Sequence, residues 1–192
     1  MLDSLLRRAL DPVLAPFASR ISRRTSANAL TLSAFVLGVA ALPDIRFQKY
    51  FFALGLLVLR AVFDVLGGAV ARVQGPTTFG AYLDQVLGLV VSAAVPFAFA
   101  LAEPDRALAA MFLMLGLVVR AGATASVKDA GRGLTVAVLD QAGMLAGKSE
   151  LFVAYALACV FPQWFSIIAY AVGILCFVAA GSRVATVAAA RP

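Results

Sequence analysis

The chain has no histidine and only two cysteines. Without histidine the commonest general base and metal ligand is gone. Any acid–base or metal chemistry therefore falls to the ten carboxylates, most of which lie in loops. Cys159 and Cys176 sit inside apolar segments without metal-ligand spacing and read as buried, inert thiols. Charge is scarce as well: 14% of residues are charged and 62% are hydrophobic. Soluble domains carry about a quarter charged residues and about half apolar ones, so a soluble all-α domain is set aside. No phosphate-binding glycine loop and no nucleophile elbow is present. No linker long enough to separate domains is visible. The first residues form an amphipathic pattern, not the long apolar run of a cleavable signal peptide.

What is present is a series of apolar segments near the length needed to cross a bilayer. The chain reads as an all-α, polytopic membrane bundle of about six transmembrane helices. The expected spans are about 26–42, 48–73, 79–101, 107–127, 149–161 (with an undefined start) and 165–189. Breaks fall at Pro43-Asp44, Gly75-Pro76, Glu103-Pro104-Asp105, Lys128-Asp129 and Pro162-Gln163-Trp164. Residues 129–148 are mixed and glycine-rich, and the apolar patch at 134–139 is too short to span. Ser26 or Asn28 can cap the first span.

Ahead of the spans, Leu2, Leu5, Leu6, Ala9, Leu10, Val13, Leu14 and Phe17 share one helical stripe, with Asp3, Arg7, Arg8 and Asp11 opposite. This predicts an N-terminal interfacial amphipathic helix, bent or shortened by Pro12 and Pro16. Arg20, Arg23 and Arg24 follow and favour the membrane surface. The expected division is 1–24, a cytoplasmic interfacial helix and basic linker, and 25–192, a six-helix membrane domain. The net charge of +6 is a topology signal and not a sign of nucleic-acid binding. The N-terminal segment, the 72–78 turn, the 128–148 loop and the C-terminus hold most of the Arg and Lys. The other side holds Arg46, Lys49 and Arg106. This predicts an inner- or plasma-membrane protein with both termini cytoplasmic and an even number of spans.

Asp64 and Asp84 are the only acidic residues in two long apolar segments, a costly placement in lipid that points to function or a partner. Helical spacing puts 60, 64, 68 and 71 near one face, and 80, 84 and 88 near another. The short 72–78 turn makes the two spans antiparallel neighbours whose acidic faces can meet. Gly67, Gly68, Ala69 and Ala71 allow close approach of a ligand, or simply of another helix.

The run Asp64-Val-Leu-Gly67-Gly68-Ala-Val-Ala71-Arg72, a short spacer, then Gly80-Ala-Tyr-Leu-Asp84-Gln-Val-Leu-Gly88 resembles the signature of the CDP-alcohol phosphatidyltransferases. That signature reads D-x-x-D-G-x-x-A-R, then G-x-x-x-D-x-x-x-D. Ser26-Ala-Asn28-Ala-Leu-Thr31, the Gly-Lys-Ser-Glu stretch ending at Glu150 and Phe161-Pro162-Gln163 are also similar to the family. The resemblance implies membrane enzymes of phospholipid synthesis that join a CDP-linked lipid to an alcohol. It further implies a homodimer among membrane lipids. Family aspartates hold magnesium or manganese against the donor pyrophosphate, and the last activates the acceptor hydroxyl. Gly68, Ala71, Arg72 and Gly80 match the nucleotide-binding positions, and Asp64 and Asp84 match two of the metal ligands.

Gly67 and Gly88 stand where the second and fourth aspartates belong. Neither offers a ligand, and Gly88 cannot be a base, so no catalytic residue is assigned. Divalent-metal binding is expected to be weak, vestigial or absent. Arg60, one turn before Asp64, and Arg120, two turns inside the fourth span, either compensate for the lost carboxylates or make structural ion pairs. Two functions follow: a transferase of weak or lost activity, or a non-catalytic nucleotide-lipid-binding or partner subunit. A transporter-like bundle lacks the broken-helix repeat it would need. The acceptor alcohol is not readable. Lys128, Arg132 and Lys148 could hold a phosphorylated acceptor, though topology alone explains their charge. Asp140 and Glu150 read as solvated surface groups.

Overall fold

The first span begins where Ser26 caps it, its side chain accepting from the Ala29 N–H at 3.2 Å. In this computed structural model residues 19–22, 25–130 and 147–189 are described. The expected interfacial helix at 2–17, Arg23, Arg24, Arg132 and Asp140 lie outside them, as does the side chain of Lys128. The described chain forms helices α1 (Ala27–Arg46), α2 (Tyr50–Gln74), α3 (Thr78–Ala102), α4 (Ala107–Ala130), α5 (Lys148–Val160) and α6 (Phe165–Ala189). Short 3-10 turns at Pro104–Arg106 and Pro162–Trp164 precede α4 and α6. The described residues contain no strand.

Five of these helical segments are long and apolar enough to cross a membrane. Helix α5, at 13 residues, is shorter; at about 1.5 Å per residue it covers ~20 Å of a hydrocarbon core of ~30 Å. The expected breaks fall where the helices end, with one exception. The first span does not stop at Leu42 but runs through Pro43 to Arg46. A proline costs most in mid-helix, where it removes a bond and clashes with the preceding turn. Here it lies near the C-terminal end, where the Phe47 N–H returns to the Pro43 carbonyl at 2.9 Å and buried Ala41 and Ile45 anchor the helix.

The closest helix packing runs round a ring: α1, α2, α5, α6, α4, α3 and back to α1. Large buried side chains fill its centre, among them Leu57, Val91, Val95, Phe99, Leu113, Leu117 and Phe165. Small residues set the close crossings, as lipid-embedded bundles require. A Cβ on Gly116 of α4 would lie 3.1 Å from the Gly173 carbonyl of α6. Cys159 and Cys176 are free and buried, as their apolar surroundings predict.

The ring corrects one expectation. Helices α2 and α3 follow each other through a tight turn at Gly75 (φ 91°), yet they are not close backbone neighbours. Helix α1 packs against both of them. It can do so because it presents Ala34, Gly38 and Ala41 as buried small residues. A Cβ on Gly38 would lie 2.6 Å from Val91 Cγ1 of α3 and 2.9 Å from Arg60 Cδ of α2.

Candidate functional site

With α1 wedged between them, α2 and α3 hold a small cleft at one end of the bundle. It is lined by Thr31 and Phe35 of α1, Arg60 and Asp64 of α2, and Asp84, Leu87 and Gly88 of α3. The two intramembrane aspartates therefore do share one site, although their helices do not pack face to face. At the opposite end the same two helices meet through stacked rings, Tyr50 on Phe99 at 5.6 Å. The antiparallel course expected from the short turn is thus retained.

Each aspartate has its own cation. Arg60 Nε lies 3.8 Å from Asp64 Oδ2, one helical turn apart, a loose contact between half-buried side chains. Lys148, at the first position of α5, donates to both oxygens of Asp84 at 2.8 and 2.7 Å. This pair is short and chelating, but it faces open space: the side chains are 56% and 44% exposed. The cleft thus holds two carboxylates and two built-in cations, formally balanced.

The two glycines that replace aspartates differ in surroundings. Gly67 is buried against α1, where a Cβ would lie 3.5 Å from Leu30 Cβ and 3.7 Å from Thr31 Oγ1. Gly88 opens onto the cleft, and a Cβ there would lie 3.7 Å from both Cε and Nζ of Lys148. Ordinary contact distances mean that a Cβ fits at both places. Gly68 is exposed on α2, with Arg72 NH1 3.8 Å from where its Cβ would be. Ala71 is half-buried and Arg72 exposed one turn further along. Gly80 is crowded: a Cβ would meet Asn28 Oδ1 at 2.8 Å and Thr77 Oγ1 at 2.9 Å. Thr77 is the N-cap of α3, accepting from the Gly80 N–H at 3.0 Å. Asn28, read from the sequence as an alternative cap for α1, instead packs its amide beside the start of α3.

Arg120 does not line this cleft. It is half-buried on α4 and lies beside Cys176 and Arg183 of α6. The cation that meets Asp84 is Lys148. Glu150 is also not the solvated surface group expected, since it is half-buried with Oε2 out of solvent.

Three residues that the sequence reading passed over belong to this end of the bundle. Gln74, the last residue of α2, accepts from the Ala27 N–H at 3.1 Å and donates to the Ser22 and Thr25 carbonyls at 2.9 and 3.0 Å. It pins the segment before α1 to the end of α2. Its signal was a polar amide just before a Gly-Pro turn. Arg183 is buried on α6, and an arginine inside an apolar span was visible as such. Tyr155 of α5 donates to the Ser92 carbonyl of α3 at 2.5 Å, which helps fix α5 and with it Lys148.

A family model for the CDP-alcohol phosphatidyltransferases matches residues 24–181. The inner membrane protein YnjF of Escherichia coli is 31% identical over 193 residues, covering 96% of this chain and 94% of that protein. Among solved structures, the phosphatidylinositol phosphate synthase of Mycobacterium tuberculosis with CDP-DAG bound superposes with a TM-score of 0.74 at 22% identity, over 92% of this chain and 94% of that one. The same enzyme in complex with manganese and citrate gives a TM-score of 0.73 at 21% identity, over 91% and 88% of the two chains. The family match covers most of the chain, and the cleft brings the signature positions Asp64, Asp84 and Gly88 together from α2 and α3: the chain belongs to the CDP-alcohol phosphatidyltransferase family.

Proposed function

We propose that the chain binds a CDP-linked lipid donor at the α2–α3 cleft and that transfer to an alcohol by the family's route is weak or lost. The observation that carries this reading is the cleft itself. Asp64 and Asp84 come together in it, Gly68, Ala71, Arg72 and Gly80 lie on the same two helices outside its lining, and Gly67 and Gly88 leave two signature positions without a carboxylate. Exposed Gly68 gives a diphosphate a close backbone approach, and Arg72 offers a guanidinium beside it. The Mycobacterium tuberculosis synthase, whose structure holds bound CDP-DAG, supports a donor of that class. No side chain at 88 can take a proton from an acceptor hydroxyl, and a general base is worth about 10²–10⁴ in rate.

The cleft end faces the cytoplasm in this reading, with both termini on that side and six spans, because Arg and Lys concentrate there. The chain acts in the inner membrane, as a homodimer by likeness to its family. The test is a transferase assay on purified protein with CDP-diacylglycerol and a panel of alcohols, beside binding of CDP measured directly. Binding with turnover at least a hundredfold below that of an active family member supports the proposal. Full turnover with the unmodified chain, or no CDP binding at all, refutes it.

A further inference from the structure

We infer that Lys148 is a resident counter-ion that takes the place of a divalent cation in the cleft. The inference rests on the reading of the cleft as a CDP-lipid site and goes beyond it. A divalent ion of the magnesium type needs several oxygen ligands in nearly octahedral order, with at least one or two carboxylates free to bind it. The residues present do not fit that demand. Among the described residues no three acidic, cysteine or histidine side chains gather at one point. Asp64 has the Arg60 guanidinium at 3.8 Å, and both oxygens of Asp84 are occupied by Lys148.

The position of the lysine is specific. Its Nζ lies 2.7 Å from Asp84 Oδ2 and 3.7 Å from the point where a Cβ on Gly88 would project. A cation held between carboxylates at 84 and 88 would sit in this same space. The ammonium therefore stands where such an ion would bind, with Asp84 as its anchor. Gly88 leaves room for the lysine stem, which a longer side chain would contest. The ammonium can also reach an incoming anion, because its side chain is more than half exposed and three donors serve one carboxylate. Lys148 thus offers a diphosphate one fixed positive charge without any metal. A lysine charge at that point favours the bound anion but is a single charge, and it repels a second cation.

The test uses full-length protein in detergent, with CDP as the nucleotide probe and manganese followed by electron paramagnetic resonance. Wild type should bind CDP equally, within about twofold, in EDTA and in manganese, because a fixed ammonium contact does not depend on metal. Lys148→Met should weaken CDP binding in EDTA about tenfold, as loss of a charge-assisted contact implies, and thermal unfolding should show it still folded. The decisive comparison separates the lysine from the missing acids. Gly67→Asp with Gly88→Asp, keeping Lys148, should gain little manganese binding. Adding Lys148→Met to that pair should give saturable binding at low millimolar manganese. Equal manganese binding with and without Lys148, or saturable binding by the wild type, overturns the inference. Absence of CDP binding in every variant would refute the nucleotide reading, while the manganese comparison would still decide whether Lys148 holds the cation's place.

Discussion

The two ends of α2 and α3 are built to opposite rules. At the closed end, Tyr50 of α2 stacks on Phe99 of α3 at 5.6 Å, and Phe99 stacks on Phe165 at 4.3 Å. Arg106 is buried there, pairs with Glu103 at 2.8 Å and donates to the Tyr50 hydroxyl at 3.2 Å. At the cleft end the same helices carry Asp64, Gly67, Gly68, Gly80, Asp84 and Gly88, and α1 holds their backbones apart. One end commits its charge to a neighbour within a packed corner. The other keeps its charge in half-exposed pairs that a ligand can re-partner. Under the proposed function, the aromatic end serves packing and the glycine end serves recognition.

Variants that strike one end should spare the other's readout. The largest effect is expected from Phe99→Ala, which removes the fully buried middle ring of the Tyr50–Phe99–Phe165 stack. A loss of about 3–5 kcal/mol is expected from burial and cavity together, read by denaturant unfolding in detergent. CDP affinity of the fraction still folded should not change. A similar loss of affinity in that fraction would break the division between the ends.

Arg72→Ala comes next. Arg72 is exposed, so stability should stay within about 0.5 kcal/mol. CDP binding should fall about tenfold or more, equivalent to about 1.4 kcal/mol. Equal binding by wild type and variant in isothermal titration would remove Arg72 from the site.

The smallest perturbation sharpens the comparison without disturbing either end. A cysteine placed at Gln163, in the turn before α6, tests which side of the membrane the closed end faces. Trp164 beside it is exposed and stacks on Phe161 at 5.3 Å. Cys159 and Cys176 are buried, so their background labelling should be low. Gln163→Cys should react with an impermeant maleimide from the outer side of intact cells. Reaction only after the cytoplasmic side is opened would invert the orientation.

The difference between the ends also marks what could be read from residues alone. Apolar run length and punctuation are local, and they placed the helices to within a few residues, Pro43 excepted. The cost of an acid in lipid is likewise a property of one residue, and it singled out Asp64 and Asp84. The signature that joins them to Gly68, Arg72 and Gly80 is contiguous and so was visible. Arg60 lies one helical turn from Asp64, and that pairing needed only helix geometry. The insertion of α1 between α2 and α3 was not legible, because a short turn makes two helices antiparallel without making them touch.

By itself, then, the sequence determined an all-helical membrane protein with two intramembrane aspartates and two glycines in place of acids, since hydropathy, helical period and residue identity act over a turn or a span. Tertiary structure alone decided which cation meets Asp84. Lys148 is 64 residues away and reaches it from α5, while Arg120, one of the two arginines offered as compensation, lies beside Cys176 and Arg183. Loop charge near a membrane looks the same whether it serves topology or a site. Only the packing order of the ring, with α5 against α2 and Tyr155 tied to Ser92, sets one of those lysines over the cleft.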